Sequence, residues 1–100
     1  MRLQHIPWNG AKPPTLEDAR RILENEGFEV VCWSDPPGRE YTPHHHERDE
    51  SLWMLAGAMT FTIDGQAYRL NAGDRLTLPR GTVHDARAHE NGARYLIGER

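Results

Sequence analysis

The sequence predicts an all-β domain entered through one short helix, and three observations carry that prediction. Apolar residues at helical spacing stop at Gly27. From Phe28 onward, short apolar runs alternate with turn residues about every eight to ten positions, the rhythm of antiparallel strands. Asp64-Gly65 joins two alternating runs, MTFTI and QAYRL, as a two-residue hairpin connection that favours positive φ at both central positions. With 100 residues, the chain can build one hydrophobic core and not two, so any function must fit on a single domain.

The elements follow in order. Residues 1–14 carry Pro7, Gly10, Pro13 and Pro14 and read as an extended arm whose order depends on what it lies against. Thr15-Leu16-Glu17-Asp18 has the form of a capping box with Asp at its third position. Leu16, Ala19, Ile22 and Leu23 then recur at helical spacing, and Gly27 stands as the terminator. Arm and helix thus occupy 1–27 and the β domain 28–100, with strands expected near 28–34, 42–48, 51–56, 58–63, 66–70, 75–78, 83–89 and 93–98. Trp53, Met54 and Leu55 are adjacent and cannot share a face, so that strand is apolar on both sides. An apolar patch there, with an arm and helix that need a surface to cover, leads us to expect a homodimer.

Charge and cysteine content narrow the function. Twelve Lys and Arg against 15 Asp and Glu give a net charge of -3, and the basic residues are scattered. Nucleic-acid binding needs a concentrated basic surface and is not expected. The single cysteine, Cys32, can form no internal disulfide and reads as a small buried hydrophobe in a reducing compartment. The N-terminal residues have no apolar signal region, and no run approaches the roughly 18 to 20 apolar residues of a membrane span. A cytoplasmic protein with no membrane partner is the expectation.

The chemistry concentrates in "PGREYTPHHHERDESLWMLAG", residues 37–57. In an extended strand, His44 and His46 project to one side and His45 to the other. Glu50 shares their parity and reaches the same face if the strand continues or bends gently through 47–49. His84 follows the turn "LPRGTVH" and can join them only if the sheet closes up. HHHERDE could also be a charged, solvated loop. Spacing alone leaves both readings open.

Together the two segments resemble the paired motifs of the cupin superfamily. The first motif runs Gly, five residues, His, one residue, His, three or four residues, Glu, six residues, Gly, and Gly38, His44, His46, Glu50 and Gly57 satisfy it. The second runs Gly, five residues, Pro, one residue, Gly, two residues, His, three residues, Asn, and is met by Gly73, Pro79, Gly81 and His84, with Ala88 in place of the Asn. The resemblance implies a small jelly-roll β-barrel, preceded here by the arm and helix. It also implies that His44, His46, Glu50 and His84 hold one divalent metal in the barrel mouth. Three imidazoles and a carboxylate suit Mn, Fe(II), Ni, Cu or Zn better than Mg or Ca. In a six-coordinate site two positions stay open for water, a chelating substrate or dioxygen.

Fold does not set reaction. The enzyme reading is a dioxygenase-like or isomerase-like activity on a small chelating oxygen-rich molecule, with Glu50 as ligand and as proton acceptor when it detaches. The alternative is a sensing module that captures a small molecule without turning it over.

Overall fold

The computed structural model describes residues 1–100. The elements are β1 (Gln4–Ile6), α1 (Leu16–Asn25), β2 (Glu29–Asp35), β3 (Glu40–His44), β4 (Glu50–Ile63), β5 (Gln66–Asn71), β6 (Arg75–Leu78) and β7 (His84–Glu99). All seven strands belong to one antiparallel sheet with the path β1-β6-β4-β7-β2; β3 adds to β7 and β5 to β4. The two ends of the path do not pair with each other. The predicted barrel is therefore an open one.

Local chemistry accounts for the helix boundaries. The Thr15 hydroxyl accepts from the Asp18 amide at 3.1 Å, and Glu17 and Asp18 place negative charge in the first turn, where the helix dipole favours it. At the other end Gly27 takes φ +92°, its amide reaches Glu24 O at 3.0 Å, and the Phe28 amide reaches Leu23 O at 3.1 Å. That is a Schellman termination, and Phe28 and Leu23 pack together beneath it. Ala19 and Leu23 are the buried pair; Ile22 stays largely exposed.

The expected Asp64-Gly65 turn is present, with φ 51° and 77°, and it sets the β4–β5 register from Ile63↔Gln66 to Ala58↔Asn71. Two expected strand breaks are not breaks. β4 runs unbroken through Gly57 and β7 through Gly92. Gly57 stands between the strands expected at 51–56 and 58–63. It lies instead in a strand at an irregularity of the β4–β7 register, between Met54 and Met59. A Cβ on Gly57 would meet the Gly92 carbonyl oxygen at 2.0 Å. The two glycines thus let two long strands bend past each other at close approach, which a turn-residue reading cannot distinguish from chain reversal.

Strand alternation splits the apolar residues into two cores. Leu52, Met54, Met59, Phe61, Leu76, Ala86 and Tyr95 face the inside of the curled sheet. Trp53, Leu55 and Leu96 face the opposite way and pack under α1 with Ala19, Leu23 and Phe28. Both sides of the 52–55 run are thereby covered within one chain, so the patch that motivated a dimer is not exposed. The arm docks as β1 on β6, Gln4↔Thr77 to Ile6↔Arg75, and Trp8 follows it onto Trp53 at 6.5 Å between ring centroids. Cys32 packs against the helix-side core and is free.

Candidate metal centre

The three predicted histidines converge. His44 ends β3, His84 begins β7, and the two are register partners across that strand pair. Ring centroids lie 4.4 Å apart for His44 and His84, 4.9 Å for His44 and His46, and 5.4 Å for His46 and His84. Their ligand-capable nitrogens all fall within 4.8 Å of one another. β3 stops at His44, short of the expected 42–48 strand. The separation of His46 from His45 is therefore made by the irregular segment that follows and not by strand alternation. The separation itself holds, because His45 turns out to bond Glu47 at 2.9 Å with half its side chain exposed.

Two imidazoles are oriented by the backbone. His44 Nδ1 lies 2.6 Å from Thr42 O and His84 Nδ1 2.9 Å from Thr82 O. A carbonyl can only accept, so in each neutral ring the proton sits on Nδ1 and the Nε2 lone pair is left free. Sequence could not reveal these orienting partners, because they are main-chain oxygens two residues upstream of each ring.

Glu50 begins β4 and is 5% exposed. Its Oε1 is 3.6 Å from His46 Nε2, and it forms a second potential ligand group with His46 and Glu99 rather than with all three histidines. Glu99, its register partner on β7, was not singled out from the sequence. Register alone pairs it with Glu50, and no motif marks it. Burial and then the charge of Glu99 raise the Glu50 carboxyl from its ordinary 4.5 to about 7. Burial and the neighbouring imidazoles act the other way on His46 and His84, holding both below 6.5. The imidazoles are thus kept neutral and metal-competent at neutral pH.

These side chains line a cavity of about 230 Å³ whose remaining wall is mostly apolar, including Leu52, Met59, Phe61 and Ile97. Trp33, Tyr41 and Tyr95 line it too. The three imidazoles, two of them pre-oriented, suit a borderline divalent metal, and Glu50 adds a carboxylate oxygen beside His46.

A sequence model of the cupin domain matches residues 31–97. The chain belongs to the cupin family. Over 61 residues this cupin is 43% identical to quercetin 2,3-dioxygenase of Bacillus subtilis, a match covering 60% of the chain and 18% of that protein. KdgF from Halomonas sp. superposes with a TM-score of 0.64 at 32% identity, covering 73% of this cupin and 69% of that chain. A deletion mutant of the Bacillus subtilis oxalate decarboxylase OxdC superposes with the same TM-score at 27% identity, covering 72% and 20% respectively. The cupin thus spans under a fifth of the length of the dioxygenase it matches. The family jelly roll is present as an open sheet. Ala88, which replaces the second motif's Asn, is fully buried in the inner core opposite Met59. It fills space there and leaves no polar group unpaired.

Proposed function

We propose that this cupin is a metal-dependent enzyme, dioxygenase-like or isomerase-like, acting on a small chelating oxygen-rich molecule such as a diketone, catechol or hydroxy acid. The observation that carries the reading is the convergence of three imidazoles, with Glu50 beside His46, in the wall of a mostly apolar cavity. Likeness to a protein named as a dioxygenase supports the oxygen-dependent form. In this reading His44, His46, His84 and Glu50 hold one divalent ion, of Mn, Fe, Ni, Cu or Zn. The ion would supply a Lewis-acid centre for a chelated substrate oxygen. The apolar walls exclude water from the bound molecule. Glu50, whose carboxyl stands at about 7 in the metal-free protein, can accept a proton when it detaches from the ion.

Elemental analysis of the purified protein and oxygen uptake with a catechol or diketone test the proposal. Metal-loaded protein should turn over at least one such compound, and Glu50→Ala protein none. Tight binding without turnover, across all five metals, would make it a capture module.

Proton competition gives a second expectation. Glu50 takes up a proton near pH 7, before the imidazoles do, so metal affinity should begin to fall there and fall further as they protonate. Metal bound only to the folded state adds about 2.7 kcal/mol at a hundredfold excess over its dissociation constant. The gain in melting temperature on adding metal should therefore be clearly smaller at pH 5 than at pH 7.5. Equal gains would assign the metal to other residues.

A homodimer and a cytoplasmic setting complete the proposal. Cys32, free and the single cysteine, supports a reducing compartment. For the dimer, a different surface now serves: β2 ends the sheet path, and Val31 and Trp33 on it are 53% and 46% exposed. A second copy seated on that edge would bury roughly 1,200 Å² or more. Sedimentation showing monomer alone at tens of micromolar would remove it.

A further inference from the structure

Beyond the candidate ligands, two tyrosines of the cavity wall are tied to a buried carboxylate behind it. Asp35, at the end of β2, is 5% exposed and accepts three hydrogen bonds: from Tyr41 OH at 2.5 Å, from Trp33 Nε1 at 3.1 Å and from Tyr95 OH at 2.6 Å. A carboxylate used only as acceptor compels both phenols to donate to it. Their hydrogens are then committed away from the cavity, while both tyrosines line it. The Tyr41 oxygen keeps one lone pair after accepting from Trp33 Nε1 at 3.2 Å, and the Tyr95 hydroxyl stands beside that of Tyr41. Two phenols that would ordinarily offer donors present acceptors instead, with a carboxylate behind them.

We propose that Asp35, Tyr41 and Tyr95 form a selectivity wall. It takes the hydroxyl end of a small, neutral ring compound whose other end chelates the metal, and it rejects a compound ending in a carboxylate. The inference rests on the metal-dependent reading above and adds the chemistry of the wall that meets the rest of the ligand. A hydroxyl donates into the free phenol lone pairs. A carboxylate would face acceptors and the Asp35 charge with no donor to meet it. Size agrees with a single ring. A cavity of about 230 Å³ has room for roughly eight waters at about 30 Å³ each, and it falls below the roughly 300 to 1,000 Å³ of pockets for larger ligands. The other wall residues, among them Leu52, Met59, Phe61 and Ile97, are apolar, as a ring requires, and the Tyr41 ring stands 6.4 Å from that of His44.

Asp35→Asn provides the decisive variant. The amide nitrogen donates to one phenol oxygen, so that phenol's hydrogen is released to point into the cavity and the wall gains a donor. Zinc-loaded protein is titrated calorimetrically at pH 7.5 with benzohydroxamic acid and its 4-hydroxy and 4-carboxy derivatives, which share a chelating head. The 4-hydroxy compound should bind about fivefold more tightly than the parent and the 4-carboxy compound at least about tenfold more weakly. In Asp35→Asn the preference for hydroxy over carboxy should shrink at least about tenfold, whereas a merely structural role would weaken all three probes alike. Tyr95→Phe, which removes an acceptor without adding a donor, should lose the hydroxyl preference and gain nothing for carboxylate. It decides the question should Asp35→Asn fail to fold. Equal affinity for the three probes, or ratios unchanged in the variants, overturns the wall. The same ratios and affinities without zinc would uphold the wall and overturn the metal reading. Absence of binding by every probe overturns both.

Discussion

Replacing Glu50 with Gln should stabilise the metal-free protein at pH 8 by about 3 kcal/mol while removing most of its capacity to hold metal. The carboxyl is raised from 4.5 to about 7 by burial and by Glu99. Below the ordinary value the acid is protonated in folded and unfolded chains alike and nothing is lost. Between the two values only the unfolded chain sheds the proton, and above about 7 the folded state carries an ion it disfavours. Stability therefore declines as pH rises toward and through 7, by about 3 kcal/mol in full. Gln keeps the shape, cannot ionise, and can donate its amide hydrogen toward Glu99. The benefit should shrink below about 1 kcal/mol at pH 5, where the parent carboxyl is itself mostly protonated. His46 and His84, lowered by burial, work in the opposite sense: their contribution is present above 6.5 and lost as pH falls below it. At pH 8 they are neutral in both states and cancel. Urea unfolding of the metal-free proteins at the two pH values measures the difference. A variant no more stable than the parent at pH 8 would mean that Glu50 is ionised without cost, and the account of its environment would be wrong.

That trade of stability for a ligand explains what could be read from sequence and what could not. The convergence of His44, His46 and His84, with Glu50 beside His46, was legible because residue type and interval are one-dimensional; strand parity did not carry it, since β3 stops at His44. The helix was legible for the same reason, since Thr15, Leu23 and Gly27 act on neighbours a few residues away. Glu99 and the Asp35–Tyr41–Tyr95 group were not, because register across β4, β7 and β2 brings them together from positions up to 60 residues apart. Parity in "VVCWSD" held a partial signal: Val30 and Cys32 point to the helix, so Val31, Trp33 and Asp35 must point to the cavity side. What parity could not supply was the partner. Gly57 failed differently, since a glycine marks chain reversal and close strand approach alike, and only the Gly92 carbonyl opposite it decides between them.

His46→Ala and His84→Ala should each lower metal affinity by about a hundredfold or more, while His45→Ala stays within about threefold of the parent. His46 and His84 both point nitrogens at the common centre, and His84 is oriented for it by Thr82 O at 2.9 Å. Loss of either leaves two imidazoles and Glu50, and Glu99, which groups with His46 and Glu50, offers an oxygen but no nitrogen in place of the lost ring. His45 lies one position from His46, yet its Nε2 is engaged with Glu47 at 2.9 Å on the exposed side of the segment. Its removal costs a surface pair of roughly 0 to 1 kcal/mol and no ligand. The variants should all fold, since the sheet and both cores form without these rings; a thermal melt of each metal-free protein checks this. His84, 4% exposed, leaves the largest void and should show the lowest melting temperature of the three. Metal content after equilibrium dialysis then reads the site directly. Equal loss in the His45 and His46 variants would show that the segment between β3 and β4 rearranges on binding metal, and that His45 faces the centre when it does.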